Sequence, residues 1–468
     1  MLLEHIADYA IREQTSTLPR DVTHHAKRAV IDWYAALLPG SKVAPATLLE
    51  QAFAEDLDRG HARLATGRRA TLRAAALING AASHSVEFDD IYRDAGYHPG
   101  APVISAALAA AQATGATGEA FLRAVVVAYE VSTRIGEAVM PSHYKYWHTT
   151  GTIGCFGAAA AVATVLRCDR TQFMHALATV GTFASGLQQA FRSQAMTKPL
   201  HAGHAADAGA MAAMAASKGV TGALDILEGE VGFGAAMSTQ QDWSKVTRGL
   251  GKDYHIVHVT FKNHGCCGHT FPAIDAVLEL KAKHGLSHND IRKIRLASYK
   301  AGLDIIDNAT PEGEYQAKFS VQYTVAHALV HGSVRLNAFL PDRMNDPDVR
   351  ALMKKIEVVA DPELSKGYPT QRAARVEIET NDGRKLAHFQ PTRKGDPEMP
   401  LSDDELNDKF TELATPVIGA AAGRSLLAQL WRTELLPNVQ YDTQAQTTAA
   451  AQPRRAGELV HGQGEPAV

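Results

Sequence analysis

A multi-domain fold is predicted: a large all-α helical domain built from both chain ends, with a smaller α+β domain between them. Three observations predict it. The chain has 468 residues, more than one hydrophobic core usually serves. Ala- and Gly-rich segments with helical period fill most of the chain up to residue 220. Near residue 255 the period shortens toward two, and a helical pattern returns only after the break Gly395-Asp396-Pro397-Glu398-Met399-Pro400. The predicted division is 1–262 for the first helical part, 263–397 for the α+β domain, 398–440 for the helical return, and a disordered tail over 441–468.

Residues 1–40 read as two helices parted by Leu18-Pro19-Arg20-Asp21, where Pro stops one helix and Asp opens the next. In the second, Ala26, Ala29, Val30, Trp33, Tyr34 and Leu37 recur at helical spacing and form a core stripe. Helical segments follow at 70–83, 101–113, 118–139, 154–166, 170–184 and 204–218. Their small residues let neighbouring helices approach closely. The alternation from Tyr254 to Lys262 predicts a strand. A helix over 272–284 comes next, then strands at 291–296, 356–359 and 374–380, with another helix near 319–331. The last strand turns at Asn381-Asp382-Gly383 into 384–389, a hairpin signal. Ser402 with Asp403, Asp404 and Glu405 caps the returning helical segment. Beyond Pro437 the composition is Gln, Thr, Ala, Gly and Pro, which cannot bury a core.

Composition narrows the function classes. A net charge of -3 offers no basic field for nucleic acid. The four cysteines, two of them adjacent at Cys266 and Cys267, do not suggest a disulfide framework. Acids sit where a signal peptide would place cations, and apolar runs such as 156–166 fall short of a membrane span of roughly 20 residues. The expectation is a cytoplasmic protein.

Four stretches carry residues able to do chemistry. Glu87-Phe88-Asp89-Asp90 precedes His98-Pro99-Gly100 at the start of an apolar helix. Tyr146-Trp147-His148 leads into a helix whose N-terminus can receive a carboxylate. Its glycines at 151, 154 and 157 do not follow the order of a dinucleotide-binding turn, so no cofactor is expected. Lys198, with His201 beside it, stands at the mouth of another helix, where burial could lower its pKa and make it a base. Lys262 to Thr270 holds two Cys and two His, too tightly spaced for the usual tetrahedral zinc patterns, and no metal is expected. A nucleophile elbow and a phosphate-binding Lys loop are both missing.

Together these stretches resemble the MmgE/PrpD family, whose members include 2-methylcitrate dehydratase, cis-aconitate decarboxylase and iminodisuccinate epimerase. The resemblance rests on His84-Ser85-Val86-Glu87-Phe88-Asp89-Asp90 with His98-Pro99-Gly100, the run from Lys198 to Gly203, Leu227-Glu228-Gly229 with Gly232-Phe233, Cys266-Cys267-Gly268-His269 leading to Ala273-Ile274-Asp275-Ala276, and Ala317-Lys318-Phe319-Ser320-Val321-Gln322-Tyr323. It implies a homodimer with a cofactor-free site at the domain junction, acting on a small di- or tricarboxylate by removing a proton next to a carboxylate. Positions matching the family's site are Glu87, Ile91, His98, His148, Lys198 and His269. The resemblance departs at Glu87 and Ile91, where decarboxylase-like members carry Asp and Thr, and at Phe271, where relatives often have His. Loss of a hydroxyl at Ile91 removes a partner for a substrate oxygen. The expectation is therefore an epimerase acting on iminodisuccinate, with a dehydratase or decarboxylase as the alternative and a non-catalytic binding protein as a remote one. Lys198, His148, Tyr146 and His269 are expected to move protons; Glu87, Asp90, His98 and His201 are expected to hold substrate.

Overall fold

A computed structural model of the chain describes residues 1–192, 195–368 and 370–443. The first part is built from α1 (Leu2–Glu13), α2 (Arg20–Gly40), α3 (Ala46–Ala52), α4 (Leu72–His84), α5 (Gly100–Thr114), α6 (Gly118–Val139), α7 (Thr149–Val165), α8 (Arg170–Gly181) and α9 (Thr197–Ala216). Every residue of α7 is buried, and α5 is buried from Gly100 to Gln112. A helix apolar on all sides belongs at the centre of a bundle, and these two form it.

Small residues decide how the outer helices meet. A Cβ on Gly80 of α4 would stand 2.9 Å from the Cα of Gly203 in α9, so the two backbones touch there. The helices run antiparallel, with Arg73 paired to Asp207. This crossing carries the His84 end of α4 to the Lys198 end of α9.

A short antiparallel pair, β1 (Leu57–Arg63) and β2 (Arg69–Ala70), lies between α3 and α4. It has no apolar alternation to announce it.

One core draws on residues from Leu3 to Phe261 and again from Leu401 to Tyr441; a second spans Cys266 to Ile378. The helix Asp403–Ile418 packs on α2. There Lys409 and Asp32, both wholly buried, meet at 2.6 Å. The second core lies on a mixed sheet in the order β4-β3-β5-β6, with β3 (Ile291–Ser298) parallel to β4 (Ile356–Ala360) and antiparallel to β5 (Ala374–Thr380), which turns into β6 (Lys385–Gln390). The helix Phe271–His284 covers it.

The chain passes between the cores twice, at neighbouring points. Phe261 N–H donates to the Gly395 carbonyl at 3.0 Å, and Gly395 has φ +98° with a Cβ added there falling 2.0 Å from the Phe261 carbonyl oxygen, a place only glycine fits. Thr260 and Arg393 both donate to the buried Asp396 carboxylate.

Two expectations are corrected. Tyr254 to Lys262 is not a strand: His255–His258 is a single tight turn, and of this stretch only Thr260 pairs, with Ile91. The alternation there records a linker with one side against the helical core, and no neighbouring strand offers it a ladder. The disordered tail does not begin at 441, because Tyr441 is buried with its hydroxyl 2.8 Å from Thr433 and its ring edge-on to Tyr34. The rest of that segment, 444–468, lies outside the described residues. Among the described residues no helix is long and apolar enough to cross a membrane.

Candidate active site at the junction of the two cores

Glu87 anchors the site. It follows α4 with φ +59°, a left-handed conformation that costs a residue with a Cβ about 1 kcal/mol or more. Three lysines hold this turn. Lys262, from the linker between the cores, donates to the Glu87 carbonyl at 2.8 Å. Lys409, from the return helix, donates to the Phe88 carbonyl at 2.9 Å. Lys198, in the first turn of α9, donates to the Glu87 carboxylate, and its ammonium also lies 5.1 Å from the Phe191 ring.

The ion pair sets both protonation states. Burial would push the Glu87 carboxyl up, but Lys198, Lys262 and His84 together hold it well below the usual carboxylate range. For Lys198, burial pulls the ammonium pKa down, and the Glu87 carboxylate more than reverses that, so the net shift is upward. The Glu87 side chain is 41% open to solvent, which screens the pair without removing it. Lys198 therefore rests as a cation rather than as the free base expected of a desolvated lysine.

A bank of imidazoles surrounds this pair. His84 Nδ1 lies 2.7 Å from Asp89 Oδ2, and His98 Nδ1 lies 3.4 Å from the same oxygen. His148 stacks on His84 at 5.5 Å, and its Nδ1 is 3.1 Å from His201 Nδ1. Two ring nitrogens can share a hydrogen bond only if one carries the proton, so this contact sets opposite tautomers. Burial pushes His98 and His201 down to about 4 and His148 well below its ordinary value. All three are neutral near pH 7. Asp89, by contrast, is held well below the carboxylate range: burial would raise it, but His84 and His98 prevail.

His84, Asp89 and His98 bring ligand atoms within 4.8 Å of one another, a spacing a metal ion could use. The Lys262 ammonium, 4.0 Å from Asp89, already brings positive charge to that carboxylate.

The facing wall comes from the second core. His269 Nδ1 meets the Tyr299 hydroxyl at 2.6 Å, and Tyr299 stacks on Tyr368 at 4.9 Å. Burial, with Arg372 and Arg393 nearby, pushes His269 down to about 4. Cys267 lies within electrostatic reach of Lys262 and Glu87 and of Arg372.

Of the residues singled out from the sequence, the structure brings together Glu87, His98, His148, Lys198 and His201, and holds His269 against Tyr299. Two fall elsewhere. Asp90 is buried, accepts hydrogen bonds from Gly100 N–H at 2.9 Å and Tyr129 at 2.7 Å, and holds the start of α5; neither oxygen is left for substrate. Tyr146 is 59% exposed under the Lys145 ammonium, and the tyrosine that neighbours Lys198 is Tyr144. At Ile91 the backbone pairs with Thr260 in both directions, which ties the loop to the linker. Sequence reasoning missed His84, Asp89, Lys262, Tyr299 and Lys409 as members of the site. His84, Asp89 and Lys262 stood inside quoted motifs; Tyr299 and Lys409 carry no local signal and arrive only through packing.

The chain is matched by the model of the MmgE/PrpD N-terminal domain over residues 4–246 and by that of the C-terminal domain over 264–433. It is 27% identical to the cis-aconitate decarboxylase-like protein of Aspergillus oryzae over 440 residues, 88% of this chain and 90% of the relative. It is 28% identical to human cis-aconitate decarboxylase over 365 residues, 75% of each chain. The mitochondrial 2-methylcitrate dehydratase of Yarrowia lipolytica is 32% identical over 117 residues, 24% of this chain and 22% of the relative. These relatives are named as decarboxylases and a dehydratase, which backs the lyase alternative better than the epimerase expectation. The N-terminal match alone covers more than half of the chain and the C-terminal match follows it, which makes this chain a member of the MmgE/PrpD family.

Proposed function

We propose that the chain is a lyase that decarboxylates a small unsaturated polycarboxylate of the cis-aconitate kind. One observation carries the choice among the family's reactions: Lys198 rests protonated against Glu87, beside imidazoles pushed to about 4. Epimerisation and dehydration both need a base able to take a carbon-bound proton, and imidazoles of such low pKa are weak bases. Decarboxylation needs no such base. The C–C bond to the departing carboxylate breaks, carbon dioxide leaves, and the electron pair stays on the substrate carbon. What the site must then supply is positive charge near that carbon and a proton for it. In this reading Lys198 supplies both, and solvent reaching the partly open Glu87 beside it returns its proton. The decarboxylase relatives align over three quarters or more of the chain, against about a quarter for the dehydratase, which supports the same reading.

The test is incubation with cis-aconitate, 2-methylcitrate and iminodisuccinate in deuterated water, followed by NMR. The expected result is carbon dioxide from cis-aconitate with one deuterium taken into the carbon skeleton of the product. Water loss from 2-methylcitrate without carbon dioxide, or label entering iminodisuccinate without loss of substrate, would overturn it.

A further inference from the structure

A polycarboxylate held by Lys198 needs a second cation for its far end, and most cations at the junction are already engaged. Lys262 and Lys409 donate to backbone carbonyls, Arg393 is bound to Asp396, Arg93 to Asp396 and Glu398, Lys394 to Glu405, and Arg335 to Glu412. Arg372 is different. It is half-buried, yet among the described residues it makes no hydrogen bond or ion pair. It lines a cleft of about 900 Å³ together with Arg93, Asp94, Thr370, Thr392, Asp396 and Glu398. The next residue, Ala373, packs with Tyr299 and Tyr368, so Arg372 stands beside the tyrosine that holds His269.

From this placement we infer that Arg372 is the carboxylate anchor of the second wall, gripping the substrate carboxylate farthest from Lys198 and thereby selecting polycarboxylates over monocarboxylates. The inference rests on the polycarboxylate reading above. A planar guanidinium suits the task because it grips a carboxylate with two parallel N–H bonds. Burial and the neighbouring Arg393 both push the Arg372 pKa down, and an arriving carboxylate relieves that repulsion. Of the carboxylates lining the cleft, Asp396 is committed to Arg393 and Thr260, Glu398 pairs with Arg93, and Asp94 makes no bond to Arg372.

The test uses the full chain and tricarballylate, an unreactive tricarboxylate, as a calorimetric probe, alongside turnover of cis-aconitate. Arg372→Met should weaken tricarballylate binding by about 10- to 100-fold and raise KM similarly with little change in kcat, as expected for loss of a charged hydrogen-bond pair. Arg372→Lys should recover part of the affinity, which also guards against misfolding as the cause. Acetate binding should not change. Tricarballylate binding to Arg372→Met as tight as to wild type overturns the anchor while leaving the reaction untouched. Selective loss of binding in a protein that releases no carbon dioxide supports the anchor and removes only the decarboxylase reading. Wild type that neither binds tricarballylate nor turns over cis-aconitate overturns both.

Discussion

Replacing Lys409 by Met should both destabilise the helical core and slow the reaction, through one atom. Lys409 Nζ is wholly buried, 2.6 Å from Asp32 and 2.9 Å from the Phe88 carbonyl. Methionine keeps most of the volume and removes the donor. Breaking a buried ion pair by deleting one partner costs about 3–5 kcal/mol, because the other charge stays behind. Burial already pushes the Asp32 carboxyl up, so Asp32 takes a proton once Lys409 is gone, and the loss should fall near the lower end, about 3 kcal/mol. The Phe88 carbonyl loses its donor at the same time, but the two losses share one ammonium and do not add. The double variant Asp32→Asn, Lys409→Met has no buried charge to strand and should recover about 1–2 kcal/mol. Urea midpoints at pH 7 for wild type, both single variants and the double give the cycle. Because Phe88 follows the left-handed Glu87, the single variant should also lose kcat well below its melting range, with the Glu87–Lys198 pair no longer held in place. A single-variant loss under about 1 kcal/mol, or a double variant less stable than the single, would refute the reasoning.

Other outcomes follow from the same geometry. Glu87→Gln removes the group that raises Lys198, so burial takes over and the ammonium pKa falls; the alkaline limb of kcat should move to lower pH, read from a pH–rate profile. Gly203→Ala should cost about 1–3 kcal/mol and lower kcat, since its Cβ would meet the Leu77 carbonyl at 2.4 Å and part α4 from α9; unchanged melting and turnover would count against that crossing. Asp90 is pushed up to about 8 by burial and by Asp32, so the folded state keeps a proton that the unfolded chain releases near pH 4. Its contribution to stability is therefore full below about pH 4 and is lost as pH rises to about 8. Asp90→Asn, which stays neutral, should flatten that decline in melting temperature between pH 5 and 9. His98, His201 and His269, held near 4, act with the opposite sign: the unfolded chain binds their protons first, so stability falls as pH drops from about 6.5 to about 4. The triple variant with Gln at these positions should lose less stability over that acid range than wild type.

By itself the sequence determined the helical majority, the strands at 291–296 and 356–359, the 374–389 hairpin, and the motifs that hold Glu87, His98, His148, Lys198 and His269. These are local properties: helical spacing, an Asn-Asp-Gly turn, and polar residues gathered before apolar helices. Only the tertiary structure decided what those residues are to one another. Lys198 read as a base while Glu87 was 111 residues away in the chain; once the Gly80–Gly203 crossing brings the two ends together, the carboxylate outweighs desolvation and keeps it protonated. Asp90 and Glu87 look alike in one acidic run, yet one is spent on the start of α5 and the other faces Lys198. Lys409 and Arg372 have no sequence signal, because a cation's meaning depends on which anions folding leaves within reach. For Lys409 that anion is Asp32; beside Arg372 folding leaves a cleft.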